Sequence, residues 1–481
     1  MTVHRATWMG VFLLIAAGRT ANGQSMVDHR WDHWYWGENN GWHFVNDTVV
    51  TLPGSPLPLT FKSVAMSDPS SGDLLFYGDL VTLWNADHQP LANNVGSFSS
   101  IGGSPQVVTL SAEPDKHILI FFAESNGPPS AGLWSATVDM DLANGLGDVI
   151  APAALFAPER GLKWTPIPAI TTDTTWILAN EPATGSYYAY PWTVNGPGQA
   201  VLSLQGAEPT GNSHLMKVDR SGSRVAANTQ YDQRLDLFRF DRTSGLLTDT
   251  LTVWMADIVG ITGIEFAPSG TVLYVAVNYS ITPRITDVLQ FDLSLWNHAA
   301  VNTSRRSVAD SLPEEQPVGK LQLGPDDRIY VARGHMDSTH LAVIMAPEAL
   351  GTACDYRPNA IPLSGGRTIA FDVLNLPTLH WPIPSNGVGQ VETGNTDRSH
   401  LVAWPNPAAD GLNIALPRSS GPGSTIHLFD VVGSLKRSFE IGNDQTLFIP
   451  RGDLCDGFYT LHLLLAEGQH SATTIVFGPS P

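Results

Sequence analysis

Cysteine is nearly absent from this chain, which has two cysteines among 481 residues. Small secreted domains that depend on disulfides carry many more, so a disulfide framework is excluded as the basis of the fold. Cys354 and Cys455 lie in regions that we assign below to separate domains. An oxidising compartment would permit one bond between them, but we expect two unpaired thiols.

Positive charge is also scarce. The chain has 26 Lys and Arg against 45 Asp and Glu, which gives a formal charge of −19. Residues 1–23 contain Arg5 and Arg19 and no acidic residue, so their removal would change −19 to −21. Nucleic-acid binding requires basic patches that neutralise phosphates, and this balance argues against such a partner.

Long apolar runs are missing as well. The longest N-terminal run, Trp8 to Ala17, has ten residues and is too short to span a bilayer as a helix. A weakly basic start precedes this run, and Ala21-Asn22-Gly23 follows it as a small-x-small cleavage site. Residues 1–23 are therefore predicted to be a secretory signal peptide that is cleaved near Gly23. No transmembrane segment is expected in the remainder, which should be soluble or attached to a surface.

Recognisable catalytic motifs are lacking, since neither Gly-x-Ser-x-Gly nor His-Glu-x-x-His occurs. His29 and His33 are four residues apart, a spacing that suits a metal pair, but we favour a surface or packing role for both. His335 and His340 flank a loop that contains Asp337 and could point into a propeller channel, but we do not expect a metal or catalytic role for them either. No catalytic residue, metal or cofactor is predicted. Four further acidic residues look like turn residues that cap their own backbone: Asp68, Asp73, Asp326 and Asp327.

What is abundant is glycine (44) and proline (35), with no long amphipathic helix, and this combination predicts an all-β protein. One sequence pattern recurs through residues 28–381: an apolar residue, a short turn with Asp, Ser, Pro or Gly, then an apolar strand. Each copy predicts a β-hairpin. The copies are Met66 to Tyr77, Val218 to Ala226, Phe266 to Val275 and Leu323 to Ala332.

A second sequence pattern, an apolar residue followed by Asp, indicates another hairpin at Val138-Asp139, Phe240-Asp241 and Phe291-Asp292. These patterns recur at intervals of about 50 residues, which is the length of a four-stranded propeller blade. Residues 28–381 therefore predict a β-propeller of about seven blades. Because no blade can bury both faces alone, neighbouring blades should pack with aromatic residues between them.

This body resembles the seven-bladed, lactonase-like or WD40-like propellers of secreted proteins from Gram-negative bacteria. The matching segments run nearly its whole length: Trp34 to Gly37, Gly72 to Tyr77, Leu83 to Asn85, Gly132 to Ser135, Gly145 to Val149, Gly263 to Phe266, Leu321 to Asp326 and Ile329 to Ala332. The closing Gly-Leu-Pro-Asn-Phe of that group is altered here to Asn375-Leu376-Pro377-Thr378-Leu379. The resemblance implies a fold more than an activity.

The last eighty residues have a different character. Apolar residues alternate with polar ones around Leu412 to Leu416, Ile426 to Val431 and Tyr459 to Leu463, and turn residues separate these runs. About seven short strands in residues 403–481 predict a small Ig-like β-sandwich. Residues 382–402, rich in Pro, Gly and polar residues, are predicted to be a linker.

Residues 403–481 closely resemble the type A C-terminal sorting domain of the type IX secretion system. The resemblance rests on the Pro-Asn-Pro entry, the Leu-Phe-Asp-x-x-Gly strand and turn, and the Gly-Phe-Tyr strand. The motif residues in this sequence are Pro405, Asn406, Pro407, Asp430, Gly433, Gly457 and Tyr459. The resemblance implies the secretion machinery as a partner, and a location outside the cell or on the outer-membrane surface.

Two classes of function remain for the propeller. The first, which we favour, is a non-catalytic module that binds a surface glycan, peptide or protein. The second is a metal-dependent hydrolase or lactonase that holds its metal with carboxylates and His at the central channel. An enzyme should gather such side chains from several blades at one end of the axis, whereas a binding module should present a groove or an aromatic patch.

Overall fold

The computed structural model describes the following residues: 28–45, 48–52, 55–57, 63–79, 81–93, 95, 106–109, 117–124, 132–150, 153–161, 163–170, 174–203, 215–229, 233–279, 285–309, 312–313, 317–333, 338–363, 376, 402–404, 408, 410–416, 424–430, 434–442, 446–464 and 470–477. The chain separates into two compact units at Pro384 and Ser385, inside the predicted linker. The predicted signal peptide lies outside the described residues.

Seven antiparallel sheets follow one another in the described part of the first unit, and we number them as blades 1 to 7. Blade 1 contains β1 (His33–Trp36), β2 (Asn40–Val45) and β3 (Thr48–Thr51). Blade 2 contains β4 (Val64–Ser67), β5 (Leu74–Gly78) and β6 (Leu83–Asn85). Blade 3 contains β7 (Gln106–Thr109), β8 (His117–Glu124), β9 (Gly132–Asp139), a 3₁₀ turn (Ala143–Gly145), β10 (Asp148–Val149) and β11 (Ala154–Pro158).

The remaining four blades follow in sequence order. Blade 4 contains β12 (Trp164–Pro168), β13 (Thr175–Asn180), β14 (Tyr187–Thr193), β15 (Gly196–Pro197) and β16 (Val201–Ser203). Blade 5 contains β17 (Met216–Val218), β18 (Arg224–Thr229), β19 (Arg234–Asp241) and β20 (Leu246–Trp254). Blade 6 contains β21 (Ile258–Phe266), β22 (Val272–Tyr279), β23 (Ile285–Asp292), α1 (His298–Thr303), β24 (Arg306–Ser307) and β25 (Leu312–Pro313). Blade 7 contains β26 (Val318–Leu323), β27 (Ile329–Arg333), β28 (His340–Ile344), a 3₁₀ turn (Gly351–Cys354) and β29 (Tyr356–Pro362).

The first strand of every blade is its innermost strand. Strands β1, β4, β7, β12, β17, β21 and β26 each lie at an edge of their own sheet, and successive members of this series contact one another. This order is that of a β-propeller, with the first strands around the axis and later strands toward the rim. The fold prediction of about seven blades is confirmed.

The predicted hairpins lie where the first strand of a blade turns into the second. In blade 2, the Gly72 N–H donates to the Asp68 carbonyl, and in blade 6 the Gly270 N–H donates to the Ala267 carbonyl. Both glycines have positive φ, at 78° and 70°, which is the backbone region that favours glycine. Local turn chemistry therefore sets the register of these strand pairs, with Phe266 opposite Leu273 in blade 6.

An aromatic cluster closes the ring where blade 1 meets blade 7. The ring of Tyr330 in β27 lies 5.3 Å from Trp34, 5.4 Å from Trp42 and 5.7 Å from Phe44, measured between centroids. Trp34, Trp42 and Tyr330 are each at most 1% exposed. Edge-to-face packing of this kind adds to the free energy of burying apolar area. The expectation that aromatic residues pack between blades is confirmed at this seam.

The second unit forms two small sheets. The first contains β30 (Val402–Trp404), β31 (Gly411–Ala415) and β34 (Thr446–Pro450). The second contains β32 (Thr425–Asp430), β33 (Leu435–Glu440), β35 (Gly457–Leu464) and β36 (His470–Phe477). Leu412, Ile414, Ile426 and Leu461 are fully buried between them.

The Tyr459 hydroxyl donates to the Cys455 carbonyl, four residues upstream, at 3.0 Å. A tyrosine that bonds back to the chain just before its own strand is a feature of Ig-like sandwiches. The predicted sandwich of about seven strands is thereby confirmed in the described residues.

Candidate functional site

A buried polar cluster lies beside the axis, at the end where the first hairpins of blades 5, 6 and 7 turn. Lys217, Glu265 and Gln322 are each the next-to-last residue of the innermost strand of their blade. The Lys217 ammonium donates to Glu265 Oε2 at 2.9 Å and to Gln322 Oε1 at 2.9 Å. Glu265 and Gln322 are fully buried, and Lys217 is 7% exposed. We call these three residues the axial cluster.

The backbone completes the bonding of the axial cluster. Glu265 Oε2 also accepts the N–H of Leu323 at 3.1 Å, and Oε1 accepts the N–H of Phe266 at 3.0 Å. A charge inside a protein is tolerated when it is paired and hydrogen-bonded, and both conditions are met here. The carboxylate of Glu265 is therefore engaged by three donors, one each from blades 5, 6 and 7, and the cluster acts as a brace between these blades.

A second interaction connects blades 5 and 7 at the end of the axis where their first hairpins turn. The Arg220 guanidinium in the blade 5 hairpin donates to Asp327 Oδ1 in the blade 7 hairpin at 2.6 Å. Asp219, beside Arg220, accepts backbone N–H groups of Ser223 and Arg224 at 2.8 and 2.9 Å. Two charged side chains of blade 5, Lys217 and Arg220, therefore contact residues of blade 7. Together with the bond from Lys217 to Glu265 of blade 6, these contacts connect the three hairpins at the axis.

The histidines singled out in the sequence do not converge. His29 Nδ1 lies 2.6 Å from Asp32 Oδ2, whereas His33 Nδ1 lies 3.1 Å from the Ser67 hydroxyl of blade 2. The His33 ring stacks on His43 with centroids 4.0 Å apart. Within the described ranges, no three His, Cys, Asp or Glu side chains group as a metal site. The preferred packing role fits His33, while His335 and Asp337 lie outside those ranges, and His340 Nδ1 lies 3.0 Å from the hydroxyl of its neighbour Thr339.

Burial and the nearby His43 lower the pKa of His33 to about 4. An unfolded chain takes up this proton near pH 6.5, so acid favours the unfolded state between pH 6.5 and pH 4. We expect full stability above pH 6.5 and a loss of about 3 kcal/mol as pH falls to 4. Urea unfolding at pH 7 and pH 4.5 measures this loss. His33→Gln should reduce it, and the same change at the exposed His298 of α1 should not. Equal slopes for both variants and the parent chain would contradict the assignment.

The predicted turn aspartates behave in two ways. Asp68 Oδ1 accepts the N–H groups of Ser70 and Ser71 at 2.8 Å each, as a capping residue does. Asp326 accepts the Arg328 N–H and also the Tyr330 hydroxyl at 2.8 Å. Asp73 instead accepts the hydroxyl of Ser71, and Asp327 forms the ion pair with Arg220. The two cysteines are free, as expected, with Cys354 buried and Cys455 exposed.

Part of the predicted sorting motif forms one corner of the second unit. Asp430 ends β32 opposite Tyr459 of β35. The Asp430 carboxylate pairs with the Lys436 ammonium at 2.7 Å and accepts the Ser434 N–H at 2.9 Å. Gly457 opens β35 at φ 150°. Pro405, Asn406, Pro407 and Gly433 lie outside the described residues. The described motif residues therefore lie at neighbouring strand ends of one sheet.

No protein-family model matches this chain, and no curated protein matches its sequence. Solved structures do resemble it. A protein from Lactobacillus plantarum is 12% identical over 72% of this chain and 97% of its own, with a TM-score of 0.42. A proposed 6-phosphogluconolactonase from Bacteroides uniformis is 13% identical over 69% and 98%, with a TM-score of 0.43. A periplasmic gluconolactonase of Pseudomonas aeruginosa is 12% identical over 76% and 94%, with a TM-score of 0.34. Likenesses this distant assign no activity to this chain.

The axial cluster was not predicted, although the sequence carries a signal for it. The chain has only six lysines, and one of them is Lys217, between Met216 and Val218. Glu265 and Gln322 are likewise single polar residues between apolar neighbours, just before a recognisable hairpin turn. A polar residue at the same position of three repeats indicates a shared location near the axis.

Proposed function

We propose that this protein is exported through the type IX secretion machinery by residues 403–481, and that its propeller acts as a binding module on or outside the cell. The observation that carries the proposal is the second unit. It combines a seven-stranded sandwich with the strand end at Asp430 and the tyrosine corner at Tyr459 in the order of the sorting motif. Among the helices in the described residues, none is long and apolar enough to cross a membrane.

The axial cluster supports a binding role over the hydrolase. A metal-dependent lactonase needs carboxylates and imidazoles that are available to an ion at the channel. Glu265 is the carboxylate that the described innermost strands place there, and its oxygens are bonded to Lys217 and to two backbone N–H groups. Because these axial charges are already bonded to one another, we expect ligands to bind at the rim and loops of the propeller instead. The partner we propose is a glycan, peptide or protein of the surface.

Deleting residues 403–481 should abolish export. In a bacterium that has the type IX machinery, we expect the truncated chain to accumulate in the periplasm, because the proposed signal for crossing the outer membrane lies in residues 403–481. Cell fractionation with immunodetection measures the distribution. Leu461→Asp, which places a charge in the sandwich core, should act like the deletion, whereas Phe448→Ala at a 56% exposed position should be exported normally. Normal amounts of truncated protein in the medium would overturn the proposal.

A further inference from the structure

Asparagine followed by glycine is the dipeptide that loses its side-chain amide to water most readily, because glycine has no Cβ to hinder attack by its backbone nitrogen. Three such pairs lie in the described residues: Asn40-Gly41, Asn144-Gly145 and Asn195-Gly196. By sequence the three pairs are equivalent. The structure gives them different surroundings, and these decide which pairs react in the folded protein.

The pair in blade 1 is enclosed. Asn40 is 3% exposed and begins β2, and Gly41 lies opposite Tyr35 of β1. A Cβ at Gly41 would lie 2.8 Å from the Tyr35 ring and 3.2 Å from Leu52 Cβ. The Leu52 N–H also donates to the Gly41 carbonyl at 2.8 Å. A rearrangement of the main chain at this pair therefore requires the strands of blade 1 to separate.

The pair in blade 3 lies in an open turn. Asn144 and Gly145 are exposed and belong to the 3₁₀ turn between β9 and β10. The Gly145 N–H donates to the Leu142 carbonyl at 3.1 Å, a bond within the turn itself. Among the described residues, no atom beyond those of the adjoining residues lies within 4 Å of the position that a Cβ of Gly145 would occupy. Local opening of the turn is enough to free this backbone nitrogen.

The pair in blade 4 has similar surroundings. Asn195 is exposed in the turn between β14 and β15, and Gly196 lies opposite Thr193. Gly196 has φ 89°, and the position of a Cβ there is as open as that at Gly145. Strand β15 has only two residues, so this turn can open while β13 and β14 stay paired.

We propose that Asn144 and Asn195 are sites of spontaneous deamidation in the folded protein, and that Asn40 is protected. The backbone nitrogen of the following glycine loses its proton and attacks Cγ of the asparagine. A C–N bond forms, the bond from Cγ to the side-chain nitrogen breaks, and that nitrogen takes up a proton and leaves as ammonia. Water then opens the resulting succinimide ring at either carbonyl, which yields aspartate or isoaspartate. The net reaction consumes one water and releases one ammonia.

Both turns lie at the end of the propeller where the first hairpins turn, because strands alternate in direction and each turn joins the third strand of its blade to the fourth. Each conversion adds one negative charge to a chain whose formal charge is −19. Isoaspartate also adds a methylene group to the main chain of the turn. Aged protein should therefore contain acidic variants that are altered in two neighbouring blades. The inference is independent of the export proposal.

Peptide mapping by mass spectrometry, after incubation of the full chain at mildly alkaline pH, tests the proposal. We expect Asn144 and Asn195 to convert at least about tenfold faster than Asn40, since opening a surface turn costs less free energy than separating buried strands. A higher pH should speed both conversions, because the glycine nitrogen attacks after it has lost its proton.

The same chain unfolded in guanidinium chloride is the matched control, since it keeps the sequence and removes the surroundings. All three pairs should then convert at similar rates. Asn195→Gln, whose longer side chain would have to form a larger ring, should remove the modification at its own position and leave that at Asn144 unchanged. Equal rates at the three pairs in the folded protein would contradict the proposal. So would the absence of conversion at either Asn144 or Asn195 during the time in which the unfolded chain is modified.

Discussion

Glu265→Gln should lower the unfolding free energy of the propeller by about 3–5 kcal/mol, the cost typical of leaving one partner of a buried ion pair uncompensated. The substitution preserves the volume of the side chain and removes its charge. Among the described residues, the Lys217 ammonium, 7% exposed, would then have Gln322 and the amide oxygen of the new residue as acceptors, both of them neutral. Denaturant unfolding, followed at the transition of the propeller, measures the change.

Two controls separate the buried charge from a loss of contacts between blades. Asp355→Asn removes one charge from an ion pair with Arg357 whose side chains are 46% and 55% exposed, and because solvent screens this pair the loss of stability should be far smaller than that of Glu265→Gln. The double variant Lys217→Met, Glu265→Leu should recover much of the lost stability, because apolar residues of similar size often replace a buried pair without cost. If Glu265→Gln costs as little as Asp355→Asn, the axial cluster does not brace the ring.

Trp34→Ala should destabilise the propeller by about 3–5 kcal/mol through the cavity it leaves at the ring seam. Trp34 is fully buried, and its ring contacts Trp42, Phe44 and Tyr330. No strand exchange between blades 1 and 7 is present in the described residues, so side-chain packing carries the closure there. The change should appear as a lower midpoint in thermal and denaturant unfolding.

Trp254 is the matched control for Trp34. It is the same residue type at the end of β20, but it is 62% exposed, and its alanine variant should stay within about 0.5 kcal/mol of the parent chain. A comparable loss for the two tryptophans would mean that the seam is no more important than the surface. Retention of full stability by Trp34→Ala would mean that the ring is closed by other contacts.

Local features of the sequence predicted the repeating part of the fold. The turns at Gly72 and Gly270 need a residue that tolerates positive φ, and the flanking strands alternate in the usual way, so each hairpin can be recognised alone. Spacing then gives the number of blades. The sandwich was predictable for the same reason, since Leu412 and Ile414 alternate with polar residues and are both buried.

The contacts at the axis could not be predicted in this way. Lys217 is 48 residues from Glu265 and 105 from Gln322, and only the curvature of the ring brings them together. Leu376 was visible as part of an altered closing motif, but nothing local indicates that its N–H donates to Gln322 Oε1. For His29 and His33 the reverse holds, because their spacing in the sequence suggested a shared site that the structure does not form. A spacing of four aligns side chains on a helix, whereas here the chain bends at His29 and enters a strand at His33.

The export of a reporter by the second unit is the most direct test of the account. A periplasmic reporter enzyme should be fused to residues 385–481, and its activity outside the cell should be measured in a strain with the type IX machinery and in one without it. We predict that most of the activity appears outside in the first strain and that nearly all of it stays in the periplasm in the second. Equal retention of the fused and unfused reporter in the machinery-bearing strain would contradict the assignment of these residues as a sorting domain.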